Sequence, residues 1–206
     1  MIAIIVVLVI VVLVVLWGVL TYNGLVRLRN QVQEAWKQID VELTRRHDLI
    51  PNLVETVKGY ASHERETLDA VVRARAAATA PGASVAQQAQ QEGELSQALG
   101  RLLAISEAYP DLKANQNFLS LQNELGTTED RIAAGRRFYN ANVRELNTKV
   151  ESIPSNIVAG VGHFEKADYF EVENAAVRQA PQVSFGTPTP TPPAEPGAPE
   201  YGAPQA

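Results

Sequence analysis

IAIIVVLVIVVLVVLWGVL, residues 2–20, is the stretch of sequence that decides the architecture of this chain. It contains no charged side chain, and the first one to follow it is Arg27. About 20 apolar residues in a helix, at about 1.5 Å each, cross the hydrocarbon core of a bilayer. Because backbone polar groups in lipid must be satisfied within the segment, we expect a helix here. The sequence therefore predicts a transmembrane anchor at residues 1–21.

A cleaved signal peptide is the alternative interpretation of this stretch. Signal peptides have a basic start, an apolar core of about 7–15 residues and a cleavage site with small residues. Residues 2–20 are longer than such a core and no A-x-A pattern follows them, so we expect an uncleaved, single-pass anchor in the cell membrane. Arg27, Arg29 and Lys37 follow the span, and the positive-inside rule then predicts an outside N-terminus and a cytoplasmic domain.

The composition limits the classes of partner and site. The chain has 206 residues, with 18 Lys and Arg against 23 Asp and Glu, for a net charge of −5. Nucleic acids attract basic surfaces, so we expect no nucleic-acid partner. The chain has no Cys, which excludes disulfides and cysteine-ligated metals. Eight of its 12 prolines lie after Ala180, so 181–206 is predicted to be a disordered Pro-rich tail, with an SH3-like ligand or a glycosylated stalk as alternative roles.

Between the anchor and the tail, apolar residues recur every three or four positions, which is typical of helices with one buried face. Turns with proline at 80–84 and 109–111 divide this region, and Ser84 and Asp111 are the expected caps of the helices that follow. The predicted fold class is all-α: a transmembrane helix followed by an antiparallel four-helix bundle with long, coiled-coil-like helices. The bundle is expected over 22–180, with its helices at 22–47, 49–79, 85–106 and 111–150.

The corner between the first two predicted helices depends on Pro51. Proline cannot donate a backbone hydrogen bond, which is harmless only in the first turn of a helix. We therefore expect a break near His47 with Asp48 as the next cap; a continuous helix kinked at Pro51 is the alternative. Polar residues around this corner are a candidate contact for a partner, or else a capped corner with an internal ion pair: Asp40, Arg45, Arg46, Asp48 and Glu64.

Residues 153–164 form a second candidate site, at the membrane surface. A fourth helix of about 40 residues is about 60 Å long, enough to return to the bilayer. Apolar residues at helical spacing follow it, and no charge appears between Ile153 and Glu165. Such a segment can lie in the interface; packing back onto the bundle is the alternative. The residues concerned are Ile153, Ile157, Val158, Val161 and Phe164.

The sequence contains no pattern that indicates catalysis. A di-iron site in a helical bundle uses Glu-x-x-His pairs, but no carboxylate stands three residues before any of the three histidines. The HExxH pattern of zinc proteases and the motifs GxxxxGK[ST], GxGxxG and GxSxG are also absent after the anchor. We therefore expect a protein that is not an enzyme, with no cofactor and no catalytic or metal-binding residues.

Two long runs resemble the LemA family of bacterial membrane proteins. They are YNGLVRLRNQVQEAWKQIDVELTRRHDLIPNLVETVKGYASHERETL at 22–68 and AYPDLKANQNFLSLQNELGTTEDRIAAGRRFYN at 108–140. The resemblance implies an antiparallel four-helix bundle behind a membrane helix and supplies no catalytic residue. One relative acts in magnetosome membrane formation, which implies a role in membrane organisation. The chain departs from the family at Ile153-Pro154, where relatives tend to have an aromatic before the proline, at the acidic EKADYFEVE, and in its added tail.

The leading hypothesis is a non-catalytic, membrane-anchored scaffold or adaptor that acts in membrane organisation through protein–protein contacts. Its expected partners are the lipid bilayer, an unidentified membrane protein and a second copy of the chain, since an anchor concentrates proteins in two dimensions. The alternative is a regulatory binding module for a membrane enzyme such as a protease or kinase, with the polar corner as its contact. An enzyme is the third class, and no convergent acid–base pair supports it.

Overall fold

The computed structural model describes residues 1–171, and this part of the chain contains α-helices and no strand. The all-α fold is therefore confirmed. The predicted tail at 181–206 and the end of the predicted domain lie outside the described residues. The helices are α1 (Ile2–Tyr60), α2 (Arg65–Ala78), α3 (Val85–Ser106), α4 (Pro110–Lys113), α5 (Gln116–Glu151) and α6 (Ser155–Val161).

α1 has 59 residues and joins the apolar segment directly to the helical domain. The expected break near His47 is wrong, because the helix continues through Pro51 to Tyr60. Pro51 has no N–H, so the His47 carbonyl, four residues earlier, loses its helical donor. The Nε of Arg75, on α2, donates to that carbonyl at 2.7 Å. A side chain from a neighbouring helix thus supplies the missing hydrogen bond, and Asp48 lies inside α1 rather than at a cap.

The start of α3 is confirmed, whereas the starts of the second and fourth predicted helices are wrong. Ser84 Oγ accepts from the Gln87 amide at 3.2 Å, and Gln87 Oε1 accepts from the Ser84 amide at 3.0 Å. This reciprocal capping box satisfies donors that the first turn of a helix leaves free. The second predicted helix is divided between the end of α1 and α2. Asp111 lies in α4, and Asn115 caps α5 instead, with its Oδ1 accepting from the Phe118 amide at 3.0 Å.

α1 and α5 are the two longest helices, and they run antiparallel. Midway along both, the rings of Trp36 and Tyr139 lie 5.5 Å apart. At the end of α1, Tyr60 Oη accepts a hydrogen bond of 2.9 Å from Asn115 Nδ2, at the beginning of α5. The predicted antiparallel bundle of four long helices is not confirmed, since α2 has 14 residues and α4 has four.

The interior contains two apolar clusters stacked along the long helices. The anchor-proximal cluster is built mainly by α1 and α5 and includes Leu25, Ile39, Ile132 and Leu146. The anchor-distal cluster adds α2 and α3. On α1 the first cluster ends at Leu43 and the second begins at Ile50, and two buried polar residues, Arg46 and His47, lie between them. Burial of these leucine, isoleucine and valine side chains supplies the main driving force for folding.

Residues 163–171, which we call the strap, follow α6 and run back along α5. Asn147 Oδ1 accepts from the Ala167 amide at 2.8 Å, and its Nδ2 donates to the Ala167 carbonyl at 3.0 Å. Asn140 makes the same pair of hydrogen bonds with Phe170, at 2.9 and 3.2 Å. Asparagines that the sequence places beside an apolar stripe therefore hold a backbone segment, because a side-chain amide offers both a donor and an acceptor.

Two aromatic residues complete the attachment of the strap. Phe170 is buried, with its ring 5.3 Å from that of Trp36. Tyr139 Oη donates to the Asp168 carbonyl at 2.8 Å. Burial and the nearby Asp168 carboxylate raise the pKa of Tyr139 to about 12, so its hydroxyl remains a donor at physiological pH.

Candidate functional site

A layer of polar side chains, buried at its centre, separates the two apolar clusters. Charged residues are rarely fully buried unless they are paired, so such a layer is the first place to look for a function. We call it the polar layer. It consists of Arg46 and His47 from α1, Gln88, Glu92 and Ser96 from α3, and Glu129 from α5.

Arg46 and Glu92 form the centre of the polar layer. Their side chains are 2% and 3% exposed, and Arg46 Nη2 contacts Glu92 Oε2 directly. Arg46 Nη1 donates to Glu129 Oε2 at 2.7 Å and to Ser96 Oγ at 3.0 Å. Glu129 is 54% exposed, so the network reaches solvent through that side chain. One guanidinium thus links three helices, as its forked donors allow.

The second carboxylate oxygen of Glu92 also accepts two hydrogen bonds. Its donors are His47 Nε2 at 3.0 Å and Gln88 Nε2 at 2.7 Å. Burial alone would raise the pKa of Glu92, but the hydrogen bond from His47 and the charge of Arg46 outweigh it, and the pKa lies below its ordinary value. Glu92 is therefore ionised near neutral pH, and its partners stabilise the charged form.

The polar layer has the properties of a structural ion network. Its central charges are paired and removed from solvent, and a catalytic acid or base needs a substrate within hydrogen-bonding reach. Within residues 1–171, no group of three or more His, Asp or Glu side chains could hold a metal ion. Removing one partner of a buried ion pair of this kind is strongly destabilising, because the other charge is left buried without compensation.

The five residues of the predicted polar corner do not form one surface. Arg46 is buried in the polar layer, whereas Asp40, Arg45 and Asp48 are exposed on α1. Glu64 lies beyond the end of α1, where its Oε1 accepts from Tyr109 Oη at 3.3 Å. The alternative interpretation, an internal ion pair, describes Arg46.

The partners of Arg46 were not predicted from the sequence, although the sequence contained a sign of them. Glu92 occupies a position on the stripe of α3 that also carries Leu95 and Leu99, and all three are buried. A carboxylate on a buried stripe requires a cationic or hydrogen-bonding partner. That partner lies 46 residues away in the sequence, so helical periodicity alone could not identify it.

The residues predicted at the membrane surface divide into two groups. Ile153, Ile157 and Val161 are 84%, 66% and 79% exposed, on α6 and just before it. Val158 packs partly and Phe164 fully against the anchor-proximal cluster. One face of this segment therefore packs on the domain, whereas the other is exposed, and contact of the exposed face with lipid stays a prediction.

Phe164 is held by two residues of α1 that follow the apolar segment. Its ring lies 5.4 Å from that of Tyr22 in an edge-to-face arrangement, and the guanidinium of Arg29 lies 5.2 Å from its centroid. Gly162 allows this approach, because an added Cβ would lie 2.6 Å from Phe164 Cε2. The exposed face of α6 is thereby fixed beside the end of the apolar segment.

An apolar groove of about 600 Å³ lies between α6 and the apolar segment of α1. Val15 and Val19 line one side of it, and Ile157 and Val161 line the other. Within the described residues, α1 is the one helix that is long and apolar enough to cross a membrane, and no part of its most apolar stretch is buried. Together these exposed residues favour a membrane anchor with α6 beside it.

Comparison with known proteins identifies a family and several relatives. The LemA family model matches residues 35–185. The chain is 28% identical over 161 residues to Protein LemA of Metamycoplasma hominis, covering 78% of this chain and 70% of that protein. It is 26% identical over 179 residues to Magnetosome protein MamQ 2 of Paramagnetospirillum magneticum, covering 75% of this chain and 66% of that protein. The match spans most of the helical domain, and the chain belongs to the LemA family.

Proposed function

We propose that the chain is a membrane-anchored, non-catalytic scaffold or adaptor that acts in membrane organisation through protein–protein contacts. The observation that carries the proposal is the continuity of α1 from the apolar segment into the core of the domain. A helix shared by the anchor and the domain holds the domain's surfaces at a fixed orientation to the bilayer, as a scaffold requires. The similarity to a protein named for the magnetosome supports a role in membrane organisation.

Cross-linking and affinity capture of the full-length chain from native membranes test this role. We expect a specific membrane protein, a second copy of the chain, or both, to be recovered with it. An unrelated single-pass protein at the same expression level is the control. Recovery of monomer alone, with no protein enriched over the control, would contradict the scaffold role.

Exposed charges on α1 are the appropriate positions for mapping a partner contact. Arg46→Glu would place a second carboxylate beside Glu92, so it should unfold the domain rather than test a surface. Arg45→Glu and Asp48→Lys change exposed side chains and should leave the melting temperature within about 2 °C. Loss of capture in these variants would assign the partner contact to this face of α1. Capture of a membrane protease or kinase would favour the alternative function, a regulatory binding module for that enzyme.

We also propose that the anchor is a single pass with the domain in the cytoplasm. The basic residues Arg27, Arg29 and Lys37 after the apolar segment support this orientation. The chain has no cysteine, so single cysteines introduced at exposed positions report their own side of the membrane. A membrane-impermeant thiol reagent should label Val72→Cys only after cells are opened. Labelling in intact cells would reverse the orientation.

The exposed side chains of Ile153, Ile157 and Val161 are proposed to enter the bilayer interface. Ile157→Cys, labelled with an environment-sensitive fluorophore in the full-length chain in nanodiscs, should emit at shorter wavelength than labelled Val72→Cys. Its emission should also be quenched by lipids with a nitroxide near the headgroup. Val72 is exposed on α2 and serves as the matched control. Equal emission and equal quenching at the two positions would place α6 away from lipid.

A further inference from the structure

A second cleft at the base of the domain has a different chemistry from the apolar groove beside α6. It has a volume of about 680 Å³ and lies between α1 and the end of α5. Trp17, Leu20 and Ile153 supply its apolar side, and Arg27 and Lys149 supply two positive charges. We call it the basal cleft. A site that is apolar at one end and cationic at the other matches an amphiphile with an anionic head.

The charges of the basal cleft are available to a ligand. Arg27 and Lys149 are exposed, and within residues 1–171 neither side chain forms an ion pair. One acidic residue, Glu145, also lines the cleft, so its lining carries an excess of one positive charge in a chain of net charge −5. Unpaired cations on an otherwise acidic protein mark a place where an anion is attracted locally.

The position of the cleft relative to the bilayer indicates which anion it meets. Arg27 lies seven residues beyond Leu20, the end of the apolar segment, and therefore about 10 Å beyond the hydrocarbon. Side chains of a helix lean toward its N-terminus, so the Arg27 guanidinium reaches back toward the headgroup layer. Trp17 lies at the depth where indole rings favour the interface. The phosphate of a lipid and the upper part of its acyl chains lie at these two levels.

We propose that the basal cleft binds the headgroup of an anionic phospholipid. Arg27 and Lys149 hold the phosphodiester, while Trp17, Leu20 and Ile153 contact the beginning of the acyl chains. Arginine suits this role because its planar donors match phosphate oxygens. Thr21 and Ser152 also line the cleft, and a hydroxyl can donate a hydrogen bond to the polar part of a headgroup. The proposal depends on the membrane anchor and is independent of the scaffold role.

Native mass spectrometry of the full-length chain in a neutral detergent tests the proposal. Phosphatidylglycerol and phosphatidylcholine with the same acyl chains are added in separate experiments, and inorganic phosphate in a third. We expect a phosphatidylglycerol adduct at concentrations where phosphatidylcholine gives none. Arg27→Gln with Lys149→Gln should lower the occupancy by about tenfold or more, because each basic residue at an anionic surface contributes about a fivefold factor.

Two matched variants separate the cleft from general electrostatics. Arg73→Gln with Arg101→Gln removes the same charge from exposed positions on α2 and α3 and should leave the adduct unchanged. Arg27→Lys with Lys149→Arg keeps both charges and should retain most of the binding. Unfolding of all variants is followed in the same detergent, and Lys149→Gln alone replaces the double variant if that variant melts early.

Three outcomes overturn the proposal. One is equal binding of phosphatidylglycerol to the wild type and to the cleft variant. Another is equal binding of the anionic and zwitterionic lipids to the wild type. The third is that inorganic phosphate binds as tightly as the lipid and displaces it. The cleft would then be a site for a free anion. None of these results affects capture of a protein partner.

Discussion

Replacing Glu92 with glutamine tests the polar layer most directly. The substitution preserves the size of the side chain but removes the charge that faces Arg46, which is 2% exposed. Arg46 then retains one carboxylate, that of Glu129, which is 54% exposed. Loss of one partner from a buried ion pair costs about 3–5 kcal/mol. Because Glu129 and Ser96 remain as acceptors, we expect about 3 kcal/mol, or a melting temperature lower by about 6–12 °C.

The measurement is thermal unfolding of the full-length chain in detergent, followed by far-ultraviolet circular dichroism. Glu94→Gln makes the same chemical change two positions along α3, where the carboxylate is exposed and accepts one hydrogen bond of 3.4 Å from Gln90. That control should change the free energy of unfolding by less than about 0.5 kcal/mol. If Glu92→Gln is as mild as Glu94→Gln, the ion network does not hold the domain together and the reasoning is refuted.

A double-mutant cycle separates the pairing from the cost of each buried charge. Arg46→Met alone leaves the Glu92 carboxylate buried without its cation, and Glu92→Gln alone leaves the guanidinium. Together the two changes remove both charges, so their combined cost should fall short of the sum by up to about 3 kcal/mol. An additive result would mean that the contact between Arg46 and Glu92 contributes no coupling.

The pH dependence provides an independent check of the same pair. The pKa of Glu92 in the folded domain is lowered from its ordinary 4.5, because His47 and Arg46 outweigh the effect of burial. A lowered pKa means that the ionised form contributes stability above the unfolded value, and that this stability is lost as the pH falls through the folded value. The difference between the wild type and Glu92→Gln should therefore be full above about pH 5 and shrink below pH 4.5. A difference that stays constant into acid would show that charge is not its source.

Four further substitutions test single features by the same melting measurement. Ser84→Ala should cost about 1 kcal/mol of stability because it removes a helix cap. Asp48→Ala should be nearly neutral because Asp48 lies inside a continuous helix. Equal costs for the two substitutions would contradict the continuity of α1. Arg75→Met should lower the free energy of unfolding by about 1–3 kcal/mol in the wild type. In a Pro51→Ala background the loss should be smaller, because an amide at position 51 can donate to the His47 carbonyl. An equal loss in both backgrounds would mean that the hydrogen bond from Arg75 to that carbonyl is not the source of the effect. Gly162→Ala should cost about 1–3 kcal/mol because the new Cβ meets the Phe164 ring, and a neutral result would mean that this ring moves freely.

The features that could be predicted from the sequence are those set by local pattern. An unbroken apolar run predicts the anchor, helical periodicity predicts the all-α fold, and Ser84 predicts the start of α3. Pro51 shows where local reasoning fails, because its effect depends on whether some distant group can serve the His47 carbonyl. That group is Arg75, 28 residues away, whose side chain reaches the carbonyl only after α2 has packed against α1.

The candidate sites follow the same division. The spacing of Ile157 and Val161 predicts a helix, and α6 forms at Ser155–Val161, since periodicity along one helix is a local property. Arg46 could be singled out as a charge near a corner, but its burial depends on Glu92 and Glu129 in other helices. Patterns along one chain segment identify residues that need an explanation, and only the packing of helices decides between a surface contact and an internal ion pair.

The orientation of the domain relative to its anchor depends on the short part of α1 around Gly24. Glycine is a poor helix former, at a cost of about 1 kcal/mol relative to alanine, so an isolated helix would bend there most easily. In this chain, contacts on both sides of Gly24 oppose bending. Tyr22 packs edge-to-face on Phe164, and Leu25 is buried in the anchor-proximal cluster. A bend at Gly24 would have to break one of these contacts, and they therefore hold α6 and the basal cleft beside the end of the apolar segment.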